Sequence, residues 1–272
     1  MAVTPRHFRR VLPMRALIPN AITVLALCFG LTGVRFAISG EWEKAVAAII
    51  VAGVLDGIDG RIARLLNGAS RFGAELDSLS DLTAFGVAPA LVVYLWSLEY
   101  YPGIGWIFAL AHAVACALRL ARFNSRLDVD DQPHKRAGFL TGIPAPVGAG
   151  LALSPLFVSF WIGPEWLADG RLRFLVSAVV VASTAALMAS SLPTYAWSAI
   201  RLPPTWRLIA LLGVGLFAGA LFSEPWITLS ILSIVYAATI PMAVRSYARL
   251  KRRNASAVPP SAPAASPPVV LH

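Results

Sequence analysis

Four aspartates, Asp56, Asp59, Asp77 and Asp81, fall within the stretch VLDGIDGRIARLLNGASRFGAELDSLSD of a chain with only 14 acidic residues. Ionised side chains inside membrane spans are costly and mark function by default. Four carboxylates at close range cannot all stay charged without cations. Oxygen-only ligands suit hard ions, Mg²⁺ or Mn²⁺, and four carboxylates suit a two-metal site. Two such ions about 4 Å apart form a clamp for phosphoryl displacement, stabilising the attacking and leaving oxygens. At about 100° per residue, Asp56, Asp59, Gly60 and Ala63 share one helix face, with Arg64 at its edge. Gly73, Asp77 and Asp81, spaced by four, form a second stripe. The small residues would clear room where a ligand approaches the backbone, and Arg64 offers a planar fork for phosphate oxygens. Taken singly, small residues in a span are packing contacts, and an isolated Asp–Arg pair is structural or belongs to an ion pathway.

The elements that must position these residues are membrane helices. The 272 residues are 57% hydrophobic and 14% charged, where a soluble domain carries about 25% charged residues. Eight segments are apolar and long enough to span, at about 17–39, 43–66, 73–97, 104–124, 142–162, 173–191, 206–222 and 226–244. With the N-terminus in the cytoplasm, 19 of the 23 basic residues fall in cytoplasmic segments, a bias that supports the even number and the orientation. The aspartates then lie on two antiparallel neighbours, the second and third spans, joined by a short turn around residues 67–71 and placed near the cytoplasmic face. This divides the chain into a basic cytoplasmic N-terminus (1–16), a transmembrane catalytic domain (17–244) and a tail (245–272). The tail is basic at first and then Ala/Pro/Ser-rich and disordered from Asn254. The first apolar segment is too long for a signal-peptide core and is retained as a helix. The net charge of +9 sets topology and meets anionic lipid rather than nucleic acid. Cys28 and Cys116 lie in apolar segments as small buried hydrophobes and permit no zinc site.

The chain resembles a known family at these residues. The pattern D-x2-D-G-x2-A-R-x8-G-x3-D-x3-D is the signature of the CDP-alcohol phosphotransferases, and all eight specified positions are matched over 26 residues, Asp56 to Asp81. Further resemblance, to the bacterial integral-membrane phosphatidylserine synthase branch, runs through Pro19-Asn20-Ala21-Ile22-Thr23, Phe72 to Ala90, Leu118 to Asn124 and Phe139 to Pro146. The resemblance implies an all-α polytopic protein with a six-helix core, usually dimeric, and so a homodimer here. Eight spans rather than six would be a departure, with two extra helices at the C-terminus. It also implies that Asp56, Asp59, Asp77 and Asp81 hold two Mg²⁺ or Mn²⁺ ions. Asn20, Thr23, Gly60, Ala63, Arg64 and Gly73 would line the CDP site, and Asp81 would act as general base.

The expected reaction is attack of the L-serine hydroxyl on the lipid-bearing phosphorus of CDP-diacylglycerol, with CMP leaving. The serine carboxylate needs a cation. Arg119, Arg122 and Asn124, at the cytoplasmic end of the fourth span, are the candidates, with Arg122 first and Arg119 as the comparison. Each of them would equally serve as an interfacial anchor. Lys135 and Arg136 fit topology determinants, and His112 fits a packed polar residue. Glycerol 3-phosphate or inositol phosphate as acceptor would want more converging arginines. A divalent-cation transporter is the competing class, but the acidic cluster lies on one side of the membrane and no paired broken helices mark the midplane.

Overall fold

The computed structural model describes residues 14–68, 70–125, 139–190, 193–195 and 206–257. The chain begins as α1 (Met14–Ile38), which turns back through Gly40, at φ +72, into α2 (Trp42–Leu65). The third helix is continuous from Arg71 to Trp96 but changes pitch: α3 (Arg71–Asp81), a π-helical segment (Leu82–Val87) and α4 (Ala88–Trp96). After a short 3₁₀ turn comes α5 (Pro102–Ser125). The pair α6 (Ala145–Ala152) and α7 (Ser154–Ile162) is bent by 43°. Pro155 stands in the first turn of α7, where it lacks the N–H that would continue α6. Then follow α8 (Gly170–Ala189), α9 (Arg207–Ser223) and α10 (Pro225–Ala257). One departure from an all-helical fold is a small antiparallel ladder of β1 (Phe139–Thr141) with β2 (Pro193–Tyr195), which ties the chain before α6 to the chain after α8.

These helices coincide with the eight apolar segments. Among the described residues, five helices are long and apolar enough to cross a membrane, or six if the bent pair counts as one span. By the length and composition of these helices the chain reads as an integral membrane protein. α2 is 24 residues long, but Asp56, Asp59, Arg61 and Arg64 interrupt its apolar character, so the site itself weakens the span signal. The apolar helix of the C-terminal hairpin from Leu208 to Ser223 is shorter than the other candidate spans and lies at the lower edge of the usual length, about 17–25 residues. α10 does not stop near residue 244. Its apolar part ends at Ala243, but the helix runs on to Ala257, through Lys251, Arg252 and Arg253. Ala, Leu, Arg and Lys are good helix formers, and no Gly or Pro interrupts the run until Pro259. Residues 1–13, most of the loop carrying Lys135 and Arg136, and the tail from 258 lie outside the described residues.

Packing is densest where small residues meet. α1 and α2 lie along one another. A Cβ on Gly33 would stand 2.9 Å from the Ala45 carbonyl oxygen, and one on Gly30 would stand 2.8 Å from Ala84 Cα. Two apolar cores result. One gathers Val46, Ile49, Val92, Trp96, Leu156 and Phe157. The other, around Ala52, Phe85, Cys116, Leu120, Ile143 and Met188, backs the aspartates. Edge-to-face pairs such as Tyr101–Phe174 and Phe160–Trp226, with ring centroids 5.0 and 4.7 Å apart, cluster near the expected outer ends of the helices, where amphipathic rings favour the membrane interface.

Candidate active site

The site forms where α1, α2 and α3 meet. Asn67 takes φ 49, a left-handed conformation that Asn tolerates. Ser70 then caps α3, its hydroxyl accepting the Gly73 N–H at 3.0 Å. The chain thus reverses within a few residues, and α3 starts at the level where α2 ends. α1 packs on both helices, while α2 meets the π-helical segment and α4 more than α3 itself. The ends of α2 and α3 therefore splay, and their carboxylates face the gap.

Asp56, Asp59 and Asp77 each offer a carboxylate oxygen within 4.8 Å of the others. The Asp81 carboxyl lies within hydrogen-bonding reach of Asp56. Asp59 is only 4% exposed, and its carboxylate accepts a 2.6 Å hydrogen bond from Thr23 Oγ1. The Thr23 hydroxyl also lies 3.1 Å from the Pro19 carbonyl, but it has one proton, and the charged acceptor is the nearer. The Thr23 carbonyl accepts from Ser80 Oγ at 3.1 Å. Thr23 therefore links all three helices.

Among the described residues no lysine or arginine forms an ion pair with these carboxylates. Four clustered carboxylates with no ion-pair partner among the described residues fit a bound cation, and an all-oxygen donor set fits a hard divalent ion.

The two motif glycines occupy different surroundings. A Cβ on Gly60 would meet nothing within 4 Å. Gly60 is exposed beside Asp59, so helix packing does not account for it, and open space stands next to the carboxylates. A Cβ on Gly73 would lie 2.8 Å from Asn20 Oδ1, so this glycine lets the buried Asn20 amide close against α3. Ala63 is half-buried, and the exposed Arg64 folds back so that its Nε donates to the Gly60 carbonyl at 3.0 Å.

The three acceptor candidates on α5 separate. Arg119 is half-buried and close enough to Asp81 to interact electrostatically, and its Nε is buried with no hydrogen-bond partner among the described residues. Arg122 points elsewhere: its Nη1 donates to the Ala189 carbonyl at 2.9 Å and to that of Ser190 at 3.4 Å, at the C-terminus of α8. A cation there meets unpaired carbonyls and the negative end of the helix dipole. Asn124 Nδ2 donates to Ser78 Oγ at 2.9 Å, fastening α5 to α3 beside Asp77.

The π-helical segment after Asp81 has a traceable cause. The Phe85 carbonyl would take its α-helical donor from residue 89, but Pro89 has no N–H. His112 supplies one from α5: its Nε2 lies 3.2 Å from the Phe85 carbonyl oxygen. A carbonyl only accepts, so the proton is on Nε2. Nδ1 is then bare, and it has no partner among the described residues. The wider turn rotates the residues after Asp81 relative to those before it, so Asp77 and Asp81 face α2 while Phe85 enters the core. His112 is a packed polar residue, and its partner is the backbone that follows the fourth aspartate. Ser78, Ser80 and the π turn were not singled out in the sequence; Pro89, four residues after Phe85, was the available signal for the turn.

The sequence is similar to those of known proteins. The family model for CDP-alcohol phosphatidyltransferase matches residues 16–197, which include all four aspartates. A second, for CDP-alcohol phosphatidyltransferase 2, matches residues 205–241. A CDP-diacylglycerol–serine O-phosphatidyltransferase of Mycobacterium tuberculosis is 39% identical over 231 residues, 85% of this chain and 79% of the relative. The protein of that name from Mycobacterium leprae is 37% identical over 246 residues, 90% of this chain and 80% of the relative. That from Bacillus subtilis is 37% identical over 153 residues, 56% of this chain and 81% of the relative. With the family model and relatives covering most of its length, and the aspartate motif at the centre of its site, the chain belongs to the CDP-alcohol phosphatidyltransferase family.

Proposed function

We propose that the protein transfers the phosphatidyl group of CDP-diacylglycerol to the hydroxyl of L-serine, yielding phosphatidylserine and CMP. The observation that carries this reading is the cluster of motif carboxylates, three of them with oxygens within 4.8 Å of one another, beside the open space at Gly60. The names of the relatives support serine as acceptor.

Asp56, Asp59, Asp77 and Asp81 would hold two divalent ions, Mg²⁺ or Mn²⁺. Bound there, the ions would offset charge on the pyrophosphate and on the departing CMP. The chain's own residues do the rest. Thr23 fixes the Asp59 carboxylate, and Gly60, Ala63 and Arg64 flank the approach of the nucleotide. Asn20 and Gly73 hold α1 against α3 and so set the far wall. Asp81 takes the proton from the serine hydroxyl as the oxygen bonds to the lipid-bearing phosphorus and the bond to CMP breaks. Arg119, whose buried Nε has no partner among the described residues and which lies within electrostatic reach of Asp81, takes the serine carboxylate. A single cation in this place suits a zwitterionic amino acid better than a dianionic sugar phosphate.

In this reading all eight helical segments cross the bilayer of the cell membrane. The site lies at its cytoplasmic side, as the basic residues direct, and the protein acts as a homodimer. Purified protein given labelled CDP-diacylglycerol and each acceptor in turn tests the reading. Phosphatidylserine and CMP should appear with serine alone; a lipid product formed with glycerol 3-phosphate or inositol phosphate instead would reassign the acceptor.

A further inference from the structure

α10 turns one narrow stripe to the rest of the molecule. Leu229, Ser233, Tyr236, Ile240 and Ala243 recur at intervals of four, three, four and three residues, and each is buried or half-buried. Between Ile231 and Met242 the other residues are apolar and exposed, apart from Thr239. Such spacing is that of a single helix face. The large side chains on this stripe are aliphatic except for Tyr236, and a phenol hydroxyl turned toward protein finds a polar partner there.

Three observations place that phenol beside Arg119. Tyr236 packs against the apolar core that contains Cys116 and Leu120, which flank Arg119 on α5. With Gly53 and Phe85 it lines a cavity of about 640 Å³ between α2, α6, α7 and α10. Gly53 precedes Asp56 by three residues, and Phe85 follows Asp81 by four. Tyr236 is also close enough to Arg119 to interact electrostatically, as Asp81 is. The Arg119 Nε is buried with no hydrogen-bond partner among the described residues. A long arginine side chain loses much rotamer freedom when it is fixed, and a partner that fixes it beforehand leaves less to be lost when a ligand binds. We propose that Tyr236 is a positioning residue of the acceptor site: its phenol oxygen accepts a hydrogen bond from the Arg119 guanidinium and holds that side chain where the serine carboxylate docks. The C-terminal helix, which lies outside the aspartate motif, then takes part in acceptor binding. The inference rests on the phosphatidyl-transfer reading with Arg119 as the carboxylate's partner, and adds to it the group that sets the arginine's direction.

Tyr236→Phe is the probe, because it keeps the ring and removes only the hydroxyl. The measurement is steady-state kinetics in serine and in CDP-diacylglycerol, paired with thermal unfolding. Serine KM should rise about three- to tenfold, the weight of one hydrogen bond at about 0.7–1.4 kcal/mol, while kcat, donor KM and Tm stay near wild type. Ser233→Ala is the control. Ser233 lines the same cavity one turn earlier, but its hydroxyl donates to the Leu229 carbonyl at 2.8 Å, so serine KM should not move. In an Arg119→Gln background Tyr236→Phe should add nothing, because positioning acts only through the arginine. An unchanged serine KM in Tyr236→Phe, or effects on KM that multiply in the double variant, overturns the assignment. So does a fall in Tm and kcat with serine KM unmoved, the result of a packing role alone. An unchanged serine KM in Arg119→Gln overturns it together with the role of Arg119. Wild-type protein that makes no phosphatidylserine would instead sink the phosphatidyl-transfer reading, a result distinct from an active enzyme indifferent to Tyr236.

Discussion

Arg119 and Arg122 are three residues apart on α5, yet their replacement should have opposite signatures. Arg119 has a buried Nε with no hydrogen-bond partner among the described residues and lies close enough to Asp81 to interact electrostatically. If it holds the serine carboxylate, Arg119→Gln removes a charge-assisted hydrogen bond, about 1.5–3 kcal/mol. That corresponds to roughly a ten- to hundred-fold rise in the KM for serine. With the contact equal in ground and transition states, kcat changes little. Arg122 instead donates to the carbonyls of Ala189 and Ser190 at 2.9 and 3.4 Å. Arg122→Gln should cost about 1–2 kcal/mol of stability through lost bonds to the α8 terminus, lowering the Tm in detergent while serine KM stays near wild type. The assay is steady-state kinetics in serine at saturating CDP-diacylglycerol, paired with thermal unfolding of each variant. A raised serine KM with unchanged Tm for Arg122→Gln, or an unchanged serine KM for Arg119→Gln, refutes this division of roles.

Asp77→Asn keeps the shape of a side chain within 4.8 Å of its neighbours but removes its charge, and should reduce turnover more than about tenfold, equivalent to 1.4 kcal/mol, with membrane insertion intact by fractionation. Gly60→Val should weaken donor binding, read by CDP-diacylglycerol KM, because its Cβ enters open space and strikes nothing; an unchanged donor KM would remove Gly60 from the nucleotide approach. His112→Phe leaves the Phe85 carbonyl without its donor and should cost about 1–3 kcal/mol of stability together with kcat. His112→Gln, which keeps an N–H, should recover part of both; kcat equal to wild type in His112→Phe would show that the π turn does not set Asp81.

Much of this architecture is legible in the sequence, and for physical reasons. Apolar segments near 20 residues and the sidedness of arginine place the helices, because the bilayer tolerates little else. The i, i+3 and i, i+4 spacing of the aspartates places them on facing stripes, because helical periodicity leaves no freedom there. The hidden parts depend on which partner a side chain finds. Arg119 and Arg122 look alike in sequence, and only the position of the α8 terminus separates them. Gly60 and Gly73 belong to one motif, yet one faces open space and the other faces Asn20. The π turn depends on a proline that deprives Phe85 of its donor and on a histidine from another helix, a long-range match that periodicity does not carry.

The central claim is that the clustered aspartates bind divalent metal on which phosphatidyl transfer depends. The most direct measurement is conversion of labelled CDP-diacylglycerol to phosphatidylserine in the presence of serine, after exhaustive EDTA treatment and gel filtration, followed by stepwise return of Mg²⁺ or Mn²⁺. The account predicts no product in the stripped protein and recovery on adding either ion, with no recovery in Asp77→Asn. Full activity in the stripped protein would contradict it.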